Sequence, residues 1–247
     1  MKKRTILLIV LVLIIFKGYS QDISIVEKDN KSYTDLGADI VSSYVWRGQK
    51  IDDAPNIQGW GEFGIGNFII GTWASANFTG TFLETDIYAG YSIGNLNILL
   101  TDYFSGSENY FDYTKDTEHS LEFSLDYTIS ENFPLTITAG TIIAGSDFNV
   151  KTYDSMGDEV FSDSNNYSTY LELMYTLTKG DYALDIMVGG TTHESYYYDS
   201  TGPAIINTGL VLSKEVQLLE NITFPISIAL IVNPELESVY TVFKISF

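Results

Sequence analysis

The chain has two histidines, His119 and His193, and no cysteine, so acid–base or nucleophilic chemistry has few places to sit. His119 is followed at once by Ser120, and neighbours in an extended strand point to opposite faces, so that pair does not act together. His193 and Ser195 stand two apart and share a face, the spacing a hydroxyl and its base need. The richer signal is acidic. Asp39, Glu62, Glu84, Asp86, Glu122, Asp126, Glu172 and Asp185 fall on one parity of alternating segments, together with the cations Arg47 and Lys244. Carboxylates gathered on one side of a sheet concentrate cations. Arg47, alone among them near one end, reads as an ion-pair partner. Gly61 to Gly66 leads into a hairpin and not a helix, so it is no phosphate loop. No catalytic residue, metal site or cofactor is expected.

The elements that must position these acids are strands. From Leu36 onward the hydrophobic period is two. Leu83, Thr85, Ile87, Ala89 and Tyr91 alternate with Glu84, Asp86, Tyr88 and Gly90, and Leu121, Phe123, Leu125 and Tyr127 alternate with Glu122, Ser124 and Asp126. That is the mark of half-buried strands. Twelve are expected, at 36–47, 57–65, 68–78, 82–91, 96–104, 118–128, 135–144, 167–177, 182–191, 204–213, 222–232 and 238–247. The stretch 210–224 reads either as a longer turn or as part of longer strands. Asp102 lies in a strand with no clear polar face and is placed with the inward acids. Tight connectors such as Gly66-Asn67 and Gly94-Asn95 alternate with long polar ones near 48–56, 105–117, 145–166 and 192–203. Short turns at one end and long loops at the other are how outer-membrane barrels are built.

Periodicity alone does not say which face is inside, so the aromatic residues decide. Tyr91, Tyr127, Tyr175 and Tyr182 lie beside short turns on the apolar parity, and Tyr44, Trp46 and Tyr167 lie on it beside long loops. Rings at both ends of an apolar band are the girdles of a membrane barrel. The expected fold class is all-β, an antiparallel transmembrane β-barrel of about 12 strands with short periplasmic turns and longer extracellular loops. The acids between Asp147 and Asp163 lack EF-hand spacing and read as a solvated loop; the alternative is a weak divalent-ion site bridging to lipopolysaccharide phosphates.

The N-terminus has the layout of a secretory signal peptide. Met1 to Arg4 is basic, Thr5 to Phe16 is almost wholly apolar, and Gly18 and Ser20 supply small residues before Gln21. The expected organisation is a signal peptide at 1–20, a flexible lead at 21–34 and a barrel at 35–247. Cleavage after Ser20 takes four of the 13 basic residues and none of the 32 acidic ones, deepening the formal charge from −19 to −23. So acidic a chain lacks the cations that nucleic acid binding needs. With 45% apolar and 14% aromatic residues it is not a disordered acidic chain either.

Three patches go beyond generic strand pattern: Ser42-Ser43-Tyr44-Val45-Trp46-Arg47-Gly48, Gly71-Thr72-Trp73-Ala74-Ser75 and Glu84-Thr85-Asp86-Ile87-Tyr88-Ala89-Gly90-Tyr91. In order and spacing they resemble the N-terminal half of the TorF-family porins, bacterial outer-membrane barrels, over about residues 36–105. The Ser20-Gln21 junction is similar to that of exported proteins of Bacteroidetes-type bacteria. The resemblance implies an outer-membrane location. An alternating last strand ending in Phe247 resembles the signal read by the barrel-assembly machinery, an expected partner along with outer-membrane lipid, lipopolysaccharide and small solutes. Outer-membrane phospholipases are also twelve-stranded and use a lipid-facing His and Ser two apart. Here parity from Asp185 and Met187 carries His193 and Ser195 inward or into a loop, so catalysis is not expected. The functional expectation is a narrow, cation-favouring porin-like channel for passive diffusion of small solutes. The alternative is a non-conducting structural or adhesive barrel with a polar, plugged lumen.

Overall fold

The structure is a computed structural model that describes residues 32–106, 109–113, 117–153, 159–219 and 222–247. The expected signal peptide and most of the expected lead lie outside the described residues. The strands are β1 (Ser32–Val41), β2 (Tyr44–Trp46), β3 (Gln49–Asp52), β4 (Asn56–Ile65), β5 (Phe68–Asn77), β6 (Leu83–Ile93), β7 (Leu96–Phe104) and β8 (His119–Ser130). They continue with β9 (Phe133–Gly145), β10 (Phe148–Tyr153), β11 (Glu159–Asn165), β12 (Thr169–Lys179), β13 (Tyr182–Thr191), β14 (Ala204–Leu219), β15 (Ile222–Asn233) and β16 (Ser238–Ser246). Twelve of them close into one antiparallel barrel, and β2–β3 and β10–β11 form two separate hairpins. The seam between β1 and β16 pairs Asp39 with Ser246 and Val41 with Lys244. There the Phe247 amide donates to the Ala38 carbonyl at 2.9 Å. Closure leaves no strand edge and satisfies the backbone within the sheet, which a lipid surrounding demands.

The faces are inverted relative to a water-soluble barrel. Ile87 and Leu173 are 43% and 45% exposed, while Glu84 and Glu122 are 6% and 1% exposed. Water would reverse that order, because apolar surface is driven out of it. This is a transmembrane β-barrel. At the short-turn end Tyr91, Tyr127 and Tyr182 stand on the outer surface, with the Lys214 ammonium 4.9 Å from the Tyr182 ring.

Four expectations need correction. The first strand does not run from 36 to 47. It starts at Ser32, inside the segment expected to be a flexible lead, and breaks after Val41. Tyr44 and Trp46 therefore leave the wall on the β2–β3 hairpin and do not belong to the outer girdle. Tyr44 is buried, and Trp46 packs against Tyr103 and Tyr197. Phe78, Phe111, Tyr113, Tyr167 and Tyr196 are the exposed rings at the long-loop end. Second, Asp102 lies on the outer face, paired with Ile87 and Leu121. Third, the stretch 145–166 contains the β10–β11 hairpin. Asp147 at its edge is buried and not solvated; Asp154 and Asp158 lie outside the described residues. Fourth, the long-turn reading of 210–224 gives way to longer strands, β14 reaching Leu219 and β15 starting at Ile222.

Candidate functional site: the acidic lumen and its mouth

Inward placement follows from register, since residues directly opposite one another share a face. Asp86 pairs with Trp73 on one side and Tyr103 on the other, and Glu122 pairs with Thr101. Glu62 accepts hydrogen bonds from Tyr33 at 2.7 Å and Tyr88 at 3.2 Å. Asp126 accepts from Thr138 at 2.5 Å, and Asp185 from Thr176 at 2.7 Å. Glu172 accepts from Tyr170 and, at 2.8 Å, from Asn207. Glu84 accepts from Tyr44 at 2.9 Å and Ser105 at 3.2 Å. Asp39 lies 3.6 Å from the Lys244 ammonium. Hydroxyls and amides thus serve most of these carboxylates, which keeps them hydrogen-bonded without cancelling their charge.

Arg47 reaches the lumen by another route. The β2–β3 hairpin turns at Arg47 and Gly48, whose φ values of 48° and 78° are both left-handed. Two consecutive positive φ angles make the tight hairpin turn whose twist matches its strands. The conformation costs a non-glycine residue about 1 kcal/mol or more. At Gly48 a Cβ would stand 1.9 Å from the Ile206 carbonyl oxygen, so glycine is required there. The strain is offset by what the turn places inside the barrel. The two terminal guanidinium nitrogens of Arg47, Nη1 and Nη2, donate to Glu122, and Nη1 also donates to the Tyr198 hydroxyl at 2.7 Å. Its Cζ lies 4.4 Å from the Trp46 ring centre and 4.6 Å from that of Tyr170. Gly140 leaves the room; a Cβ there would come within 2.9 Å of both Arg47 and Glu122.

Tyr198 comes from the 192–203 loop, so one cation ties two segments of the long-loop end to the wall. Burial pushes the Tyr198 hydroxyl up to about 12, and at neutral pH it meets Arg47 as a neutral acceptor. Gln49 donates to the Tyr197 carbonyl at 3.3 Å, and Asn233 to the Gly48 carbonyl at 3.1 Å. Tyr170, Tyr198 and Ile206 form a buried cluster with Trp46 and Tyr197 against it.

The histidines do other work. His193 faces Thr192 Oγ1 and the Asn166 carbonyl, while Ser195 Oγ lies 2.6 Å from Ser168 Oγ. Ser168 in turn donates to Asp147 at 2.6 Å. The two residues with hydrolase spacing are thus committed to different partners, and the Asp147–Ser168–Ser195 chain clips two loops together. Burial raises the Asp147 carboxyl, against the opposing pull of the Ser168 hydrogen bonds. His119 stands on the outer face, with Nδ1 2.9 Å from Asp102 and Nε2 2.5 Å from the Tyr110 carbonyl. Tyr113 stacks on its ring and donates to Asp102 at 2.7 Å. Neither the Arg47–Tyr198 contact nor the Asp102–His119 pair is visible to a period-two reading: the first joins a hairpin turn to a loop, and the second joins β7 to β8 on a face that alternation along β7 does not define.

No family model matches the chain, and no curated protein does. The resemblance to TorF-family porins therefore rests on its own residues alone. Among solved structures, the chain is similar to the NanC porin at 11% identity and a TM-score of 0.46, over 86% of this chain and 98% of that one. It is also similar to an outer-membrane channel from Pseudomonas putida F1, at 12% identity and a TM-score of 0.41, over 92% and 98%. At these scores the likeness bears on neither the family nor the function of this chain.

Proposed function

We propose that this barrel is a narrow, cation-favouring porin-like channel of the bacterial outer membrane, passing small solutes by diffusion. The observation that carries the reading is the charge imbalance of the inner face. Asp39, Glu62, Glu84, Asp86, Glu122, Asp126, Glu172 and Asp185 lie there, against Arg47 and Lys244 among the described residues. Both cations are already paired, Arg47 with Glu122 and Lys244 with Asp39. The remaining acids leave the lumen negative, and low-dielectric walls focus that field on whatever enters. Twelve strands give an interior between filled eight-strand barrels and open sixteen-strand porins.

A second reading has its own observation. The Arg47–Glu122–Tyr198 contact draws the hairpin and a loop into the mouth, which fits a plugged structural or adhesive barrel. Single-channel recording of the purified, folded barrel in planar bilayers separates the two. Unitary current steps with cation preference, stronger at low salt where screening is weaker, are the expected result. A folded barrel that passes no current at any salt concentration would replace the channel with the plugged alternative.

A further inference from the structure

We propose that Asp86 and Glu84, walled by Trp73, Tyr103 and Tyr44, form a binding site for a small organic cation bearing N–H donors, of the primary ammonium or guanidinium type. The proposal deepens the channel reading and rests on it for the ligand's way into the lumen. Two residues apart on β6, the carboxylates share the inner face and are 6% and 5% exposed. Glu84 is served by Tyr44 and Ser105. Asp86 is served only in part: the Phe104 backbone amide donates to its carboxylate, while its Oδ1 is buried with no hydrogen-bond partner. A buried carboxylate oxygen without a partner is costly, so an acceptor left open in this way is matched by a cation that brings a donor. The lumen's own cations do not fill that role, since Arg47 is held by Glu122 and Lys244 by Asp39.

The walls select the kind of cation. Trp73 and Tyr103 lie directly opposite Asp86 on the two neighbouring strands, about 5 Å away at Cβ. The Tyr44 ring stands 5.5 Å from the Trp73 ring. Aromatic faces attract organic cations, which give up their water more readily than metal ions do. Among the described residues no group of three His, Cys, Asp or Glu side chains is placed to hold a metal. The open Asp86 oxygen wants an N–H, which a quaternary ammonium lacks. Tyr44 arrives on the β2–β3 hairpin and not on a barrel strand, so this wall can yield to a ligand without disturbing the sheet.

The test titrates the purified, folded full-length barrel at constant ionic strength with methylammonium, guanidinium, tetramethylammonium and potassium chlorides. Binding is followed by calorimetry and by the fluorescence of its three tryptophans. Saturable binding of methylammonium and guanidinium is expected, with tetramethylammonium and potassium about tenfold weaker or more. Asp86→Asn should weaken methylammonium by about tenfold or more. Should that variant not assemble, Glu84→Gln is the second, expected to weaken binding by a smaller factor, and the ranking of cations by the unmutated protein needs no variant. Absence of saturation, or equal response to potassium, overturns the site. Binding needs no current: a barrel that binds methylammonium but does not conduct removes the channel and keeps the site. One that conducts cations without saturable binding does the reverse.

Discussion

The wall of this barrel carries two polar clamps near its long-loop end, one on each side. Inside, Arg47 is held by Glu122 and Tyr198. Outside, His119 is held by Asp102, with Tyr113 lying over both. Both pin a segment of the long-loop end to the sheet, and in both a tyrosine hydroxyl completes the contact. They differ in what surrounds them. The inner clamp is packed by Trp46, Tyr170 and Tyr103 and stands inside the lumen. The outer clamp stands at the lipid boundary, where a bare carboxylate at the interface costs less than about 1 kcal/mol, and its tyrosine cover remains 61% exposed. The same chemistry thus ties a hairpin and a loop into the lumen on one side and fastens a flap to the outer wall on the other. The side of the wall decides which.

That contrast is broken most severely at Glu122. Glu122→Gln leaves the buried guanidinium without its counter-charge, and about 3 kcal/mol of stability should be lost. Unfolding by denaturant in detergent measures this, and in bilayers the loosened hairpin should raise unitary conductance. Stability and conductance both unchanged would mean that Glu122 holds nothing. Asp102→Asn is the outer counterpart, with a smaller expected cost of about 1–2 kcal/mol. Limited proteolysis should cut the loop between β7 and β8 faster, while conductance stays as it was. A conductance change from this outer substitution would contradict the division between the two clamps. The smallest effect is expected for Asn233→Ala. It removes one hydrogen bond to the Gly48 carbonyl and should cost about 1 kcal/mol, with a slight rise in conductance.

The wall was legible in the sequence and the mouth was not, for a physical reason. Alternation along β6 and β8 tells which residues share a face, and the tyrosines beside the short turns tell that the apolar face meets lipid. Both signals are local. The break after Val41 escapes such a reading because Ile40, Tyr44 and Trp46 keep the apolar parity straight through it. The signal that marks it is Gly48 at the second central position of a hairpin turn, one residue after Trp46-Arg47. Asp102 misleads for a different reason. Its strand, Leu96 to Phe104, has apolar residues on both faces, so only the pairing with Ile87 and Leu121 places it outside. Contacts between a loop and a distant strand, such as Arg47 with Glu122, have no period to read.

If unbalanced carboxylates of the inner face set what the barrel lets through, the reversal potential in a potassium chloride gradient across a planar bilayer shows it. The unmutated barrel should show a potential of the sign for cation preference, larger in dilute than in concentrated salt. Replacing Glu84 and Asp86 together by Gln and Asn should shrink that potential while the barrel still assembles, because lumen side chains tune selectivity. An anion-selective potential, or one that the double replacement leaves unchanged, would contradict the account.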